Sequence, residues 1–234
     1  MRGSLAAALL CVALLGASPG PRARLARQGP AFTDQGTFVI TREGEEIGRE
    51  EFAIRPVAGG GGVLAVATVR YRDRELKAAL ELGAANAPAS YQLDVTTAGR
   101  VTERLTGQFA PGRFAVRVAT AARETAREFP VPPSAVVLDD DIFDQYYFVP
   151  HGAGAPPSVA VVRPREAALV TAAVADLGSD TVAVAGRQVP AEHFAVTLPP
   201  DDRREVWFSP SGSLLRVALP ASGVTAVRLT LPAR

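Results

Sequence analysis

Four aspartates, Asp139, Asp140, Asp141 and Asp144, stand among four aromatic residues, Phe143, Tyr146, Tyr147 and Phe148, with His151 close behind. The chain holds one Trp, four Tyr, ten Phe and two His in 234 residues, so this stretch concentrates side chains that bind cations, move protons or anchor a core. Carboxylate oxygens suit a hard cation such as Ca²⁺, which takes about six to eight of them. Asp139, Asp141 and Asp144 are the candidate ligands, although their spacing is not that of an EF-hand loop and no glycine among them makes the sharp turn. A histidine oriented by a carboxylate can act as a base, which makes His151 with one of these aspartates a hydrolase candidate. The structural reading is simpler: aspartates at a helix start cap free backbone N–H groups and complement the helix dipole. Leu138, Ile142 and Tyr146 then form an apolar stripe at i, i+4 and i+8 that packs on a sheet. That reading assigns no catalytic residue and no cofactor.

Elsewhere the chemistry is sparser. His193 sits between Glu192 and Phe194 in a strand-like run, and two histidines alone do not make up a zinc site of three or four ligands. The Gly-x-Ser-x-Gly motif of serine hydrolases does not occur. Gly59 to Gly62 lacks the lysine of a phosphate-cradling loop and reads as a connection. Arg70, Arg72 and Arg74 alternate with Val69, Tyr71 and Asp73, so in one continuous strand they share a face. Such a face is either solvated or meets an anion or a protein partner.

Composition narrows the class. Arg2, the apolar run Leu5 to Leu15 and the small pair Gly16-Ala17 have the form of a secretory signal over residues 1–17. The run is too short to span a bilayer as a helix, which needs about 20 apolar residues. The expectation is a periplasmic or secreted protein, not an integral membrane protein. Removal of the signal takes away Cys11, the one cysteine, and with it disulfide and thiolate chemistry. Formal net charge is +1, with both signs dispersed, which leaves no footprint for nucleic acid. Lys77 is the single lysine beside many arginines, a bias typical of GC-rich bacterial genomes.

The elements that must position the central stretch are strands. After a Pro-, Gly- and Arg-rich leader at 18–35, residues 36–234 read as one β-rich domain. Thr37 to Arg42 and Ile47 to Pro56 form a hairpin around Glu43-Gly44. Val63 to Leu76 follows, then a strand from Pro88, then Val101 to Phe109 paired with Arg113 to Thr120. Prolines 130, 132, 133, 150, 156 and 157 punctuate the central segment, making it the one expected helix. Strands resume from Val159 and end in a three-stranded meander whose turns are Ser209 to Gly212 and Pro220 to Gly223. Gly44, Ile47, Phe52, Ala53 and Ile54 recur in spacing as Gly186, Val189, Phe194, Ala195 and Val196, by duplication or by the demands of a hairpin.

Gly44-Glu45-Glu46-Ile47-Gly48-x-Glu50-x-Phe52, Pro88-x-x-Tyr91-x-Leu93, Leu138-Asp139-Asp140 and the hairpin from Val206-Trp207-Phe208 to Leu215-Arg216-Val217 together resemble exported bacterial proteins catalogued as domains of unknown function. Those in turn are similar to the curved, half-open β-barrels of the lipoprotein-carrier type. The resemblance implies a mainly β fold: a large curved antiparallel sheet or half-open barrel with one short central helix as plug. The expected function is non-enzymatic. Such a sheet could enclose a cavity for a hydrophobic or lipid-like ligand, lined by Phe143, Tyr146, Tyr147, Phe148 and Trp207. The alternative is a structural or interaction module of the cell envelope, meeting a protein partner through Arg70, Arg72 and Arg74.

Overall fold

The computed structural model describes residues 33–59 and 61–232, so the expected signal and most of the leader lie outside the described residues. Fifteen strands follow one another: β1 (Asp34–Arg42), β2 (Glu45–Pro56), β3 (Val63–Tyr71), β4 (Arg74–Leu82), β5 (Pro88–Thr97), β6 (Arg100–Ala110), β7 (Arg113–Thr120), β8 (Glu124–Pro130), β9 (Val136–Val137), β10 (Ser158–Arg163), β11 (Ala168–Val184), β12 (Arg187–Leu198), β13 (Asp202–Phe208), β14 (Leu214–Leu219) and β15 (Val224–Arg228). The protein is mainly β, and all fifteen belong to one sheet, ordered β8-β7-β6-β5-β4-β3-β2-β1-β15-β14-β13-β12-β11-β10-β9.

Eight strands meander outward from β1, the chain crosses back through residues 131–157, and the remaining strands meander home to pair β15 with β1. Phe38 then lies opposite Arg228 and Ile40 opposite Ala226. The sheet is mixed rather than purely antiparallel, because the two-residue β9 runs parallel to β10. Its end strands, β8 and β9, do not pair with each other. Strand β1 begins at Asp34, inside the expected leader, and Asp34 is buried in an ion pair with Arg228, at 2.7 Å, a partner too distant to read from local composition.

Three hairpins turn on two successive residues with positive φ, the second of them glycine: Glu43-Gly44 (51° and 91°), Ala98-Gly99 (49° and 77°) and Ala185-Gly186 (51° and 73°). This geometry matches the right-handed twist of the flanking strands. The turn is thus common to the two echoing hairpins and to a third that lacks the echo, so the demands of a hairpin account for it.

One expectation fails at a turn. The run Val63 to Leu76 is not one strand, because Arg72-Asp73 forms a tight connection and Arg70 pairs across it with Glu75. Arg70, Arg72 and Arg74 therefore do not share a strand face. Ala168 to Val184 is one long strand, bent by a bulge between Asp176 and Gly178, where Gly178 takes φ 90°.

Period-2 alternation sends one face of most strands inward: Phe52 and Ile54 on β2, Ala65, Ala67 and Val69 on β3, Tyr91, Leu93 and Val95 on β5. Against this face lies the segment that joins the two halves, with Leu138, Ile142, Phe143, Tyr146 and Phe148 all buried in the same core. It is a plug, as expected, but only Asp144–Phe148 is helical, as a short 3-10 turn. Beyond the bulge, the β11–β12 hairpin folds over the opposite face of the sheet and encloses a second, smaller core around Trp207, Leu215 and Val184.

Candidate functional site

The plug is held by charge as well as by apolar contact. On β2 the alternation that buries Phe52 and Ile54 also turns Glu50 inward, where it is fully buried. Its two oxygens accept the backbone N–H groups of Phe143 and Asp144, each at 2.6 Å. These are amides that a helix start leaves without an internal partner. A side chain from a distant strand thus does the capping that the sequence assigns to the local aspartates, and no side chain of the segment caps the turn itself.

The aspartates serve instead as pins to both halves of the sheet. The hydroxyl of Tyr91 on β5 donates to Asp139 Oδ2 at 2.7 Å, and Arg165, in the β10–β11 turn, pairs with Oδ1 at 3.3 Å. Asp140 receives Arg163 of β10 at 2.9 Å and Arg204 of β13 at 3.0 Å. Asp141, at φ 70°, takes Arg74 of β4 at 2.6 Å and the Tyr71 hydroxyl of β3 at 3.2 Å. The buried Arg204 also donates to the Tyr146 hydroxyl at 2.6 Å. Strands far apart in the sheet order are thereby tied to six plug residues, Asp139, Asp140, Asp141, Phe143, Asp144 and Tyr146.

Burial governs the proton affinities here, because a charge loses hydration that the interior returns only in part. It pushes Asp139 up to about 6 against the opposing pull of Arg165 and the Tyr91 hydroxyl. It pushes Asp144 up to about 7. Glu50 is raised well above the carboxylate range by burial and by the neighbouring Asp144, with the two backbone N–H groups opposing. Tyr146 is raised to about 12, again by burial. Buried to this degree, the three inner carboxyls can clamp a segment and hold protons.

The expected cavity wall is not brought together. Phe143 and Tyr146 are each 2 % exposed and Phe148 is buried, all as core residues packed on the sheet, and Tyr147 is half-buried with its ring edge-on to Phe148. Trp207 lies on the other face, sandwiched between His193 at 4.1 Å and Arg216 at 4.5 Å, and donates to Asp180 at 2.8 Å. Strand alternation puts it back to back with the plug, so it shares no wall with the other four. Of the candidate cation ligands, Asp139 is engaged by Tyr91 and Arg165 and Asp141 by Arg74, Tyr71 and Arg165, while Asp144 is buried with its Oδ1 unpartnered, and among the described residues no three His, Cys, Asp or Glu side chains gather as a metal site. His151 stacks on Phe208 at 3.6 Å and its Nδ1 meets the Val149 carbonyl, so no central aspartate orients it. Of the three arginines, Arg70 is engaged by Glu51 and Glu75, and Arg74 by Asp141.

Sequence reasoning missed Glu50, Tyr91, Arg165 and Arg204 as plug contacts. One signal was present: Glu50 occupies an inward position in phase with Phe52 and Ile54, where a carboxylate requires buried partners.

Two of the several clefts among the described residues are of small-molecule size. One, of about 600 Å³, lies where Ile47, Gly48 and Arg49 of β2 meet Arg70, Tyr71 and Arg72, and its charges are mixed. The other, of about 630 Å³, lies between the start of β12, the β13–β14 turn and the C-terminal tail, with Val189, Pro190, Pro210 and Leu231 in its wall beside Arg187 and Ser211. Among the described residues no helix is long and apolar enough to cross a membrane.

No curated protein and no solved structure matches the chain. Residues 153–231, which run from just before β10 past β15 and supply Arg163, Arg165, Arg204 and the second cleft, match the family described as Domain of unknown function (DUF6134), a family of the kind the sequence motifs resemble.

Proposed function

We propose that this is an exported bacterial envelope protein that binds a hydrophobic, lipid-like ligand without catalysis, and that the ligand sits in the cleft beside Val189, Pro190, Pro210 and Leu231. That cleft carries the reading. At about 630 Å³ it falls in the size range of small-molecule sites, its wall is mostly apolar, and Arg187 and the serines supply the few polar contacts that orient a head group. Leu231, 38 % exposed, and Leu229, 41 % exposed, are large apolar side chains left at the surface next to it. The aromatic residues of the plug pack into the core instead. Export rests on the residue 1–17 pattern.

The test is native mass spectrometry of protein purified from the envelope without detergent, with extraction and identification of bound lipid. Wild type is expected to carry an acyl-chain ligand that Leu231→Asp and Val189→Asp lose while remaining folded. A ligand-free wild type that also fails to take up a fluorescent fatty acid would refute the proposal.

A second reading, an interaction module of the envelope, is favoured by one observation. Among the described residues β8 is an end strand of the sheet, exposed at nearly every residue, and one side of its backbone pairs with no other strand there, an edge suited to strand addition. Cross-linking in cells tests it: a partner captured at β8 and lost in Ala126→Pro supports this role, and an unchanged partner set removes it.

A further inference from the structure

We propose that Glu50 and Asp144 form a proton-dependent latch on the plug, which seats the Phe143–Phe148 turn firmly in acid and loosens it as the pH rises toward neutrality. The geometry carries this. Both carboxyls are buried, Glu50 at 0 % and Asp144 at 2 % exposure, on the two sides of the contact between β2 and the plug. Both Glu50 oxygens face amide donors, at 2.6 Å each, the arrangement of an ionised acceptor. Oδ1 of Asp144 is buried with no hydrogen-bond partner, so a negative charge on it is left uncompensated. Two anions side by side without a cation in a dry site repel, so the seated plug requires at least one proton on the pair.

The surrounding cations do not supply that charge. Arg74 of β4 is engaged by Asp141, and Arg165 of the β10–β11 turn by Asp139. Arg204 of β13 is engaged by Asp140 and Asp202, and Arg228 of β15 by Asp34. Tyr71 of β3, the other titratable group that feels Glu50, gives its hydroxyl to Asp141. Burial that raises Asp144 to about 7 agrees with a retained proton. The sign follows from linkage. The seated form binds protons that a released, solvated plug gives up near the ordinary carboxylate range, about 4, so opening becomes easier as pH rises from about 4 to about 7 and then levels off. Asp139, raised to about 6, acts in the same direction. This latch does not depend on where a ligand binds.

Hydrogen–deuterium exchange of the peptide covering residues 138–149, corrected for intrinsic exchange, reads the latch directly. In wild type its protection should fall by about tenfold or more between pH 5 and pH 7, since one proton changes the opening constant by at most about tenfold per pH unit. In Asp144→Asn, which is neutral throughout, most of that slope should vanish. A flat or rising wild-type profile overturns the latch, and a full wild-type slope in Asp144→Asn overturns its assignment to this pair. Infrared spectroscopy of wild type makes the proposal independent of whether the variant folds: a protonated carboxyl band should persist at pH 6, and its absence overturns the latch.

Discussion

The carboxylate of Glu50 accepts the amide N–H of Phe143 at 2.6 Å, across 93 residues of chain. A single inward-facing side chain on β2 thus fixes the start of the turn that fills the sheet, and its second oxygen fixes the next amide.

Glu50→Ala leaves two buried N–H groups unpaired and a gap beneath them, and should cost about 2–4 kcal/mol in denaturant unfolding. A loss under about 0.5 kcal/mol would show that the plug does not depend on this contact.

Tyr146 separates packing from hydrogen bonding. Truncation to Ala removes a fully buried ring and should cost about 3–5 kcal/mol. Tyr146→Phe keeps the ring and removes only the acceptor for Arg204, costing about 1–2 kcal/mol. Equal losses in the two variants would contradict this division.

Asp139 should make stability depend on pH in a definite sense. Its folded value, about 6, lies above the ordinary 3.8, so the folded state holds more protons between these values and stability falls as pH rises through that window. Compared with Asp139→Asn, wild type should lose on the order of 1–3 kcal/mol between pH 4 and pH 6.5, measured by urea unfolding at each pH. A difference that grows in the opposite direction would contradict the burial argument.

Much of the architecture was legible before the structure. Alternation in β1, β2, β7 and β12 and the glycines of their turns located most strands, because period-2 burial and positive-φ turns are local properties. The Arg72-Asp73 turn was not, since it carries no glycine or proline, and neither was β8, whose exposed residues have no apolar period. The central segment was recognised as a buried plug, but its mechanism was misread. Leu138, Ile142 and Tyr146 are buried as expected, yet without a continuous helix, and Asp139, Asp140 and Asp141 pair with Tyr91, Arg74, Arg163 and Arg204 rather than with the amides of a helix start. Those partners lie tens of residues away, and only the inward phase of Glu50 hinted at them.

Calcium should leave the melting temperature unchanged, with or without chelator, because Asp139 and Asp141 are already engaged by arginine and tyrosine side chains and Asp144 is buried. The double variant Asp139→Asn, Asp141→Asn should itself cost about 2–4 kcal/mol, since it loosens pins to Tyr91, Arg165, Tyr71 and Arg74. A calcium-dependent rise in wild type that this variant abolishes would show cation ligation instead.

Photo-cross-linking with a diazirine-labelled fatty acid, followed by peptide mapping, tests the central claim most directly. The account expects label on the peptides carrying Arg187 to Pro190, Ser209 to Ser211 and Leu231, and its loss in Leu231→Asp. Label on Phe143 and Tyr146 to Phe148 instead, or none above the level on an unrelated protein, would contradict it.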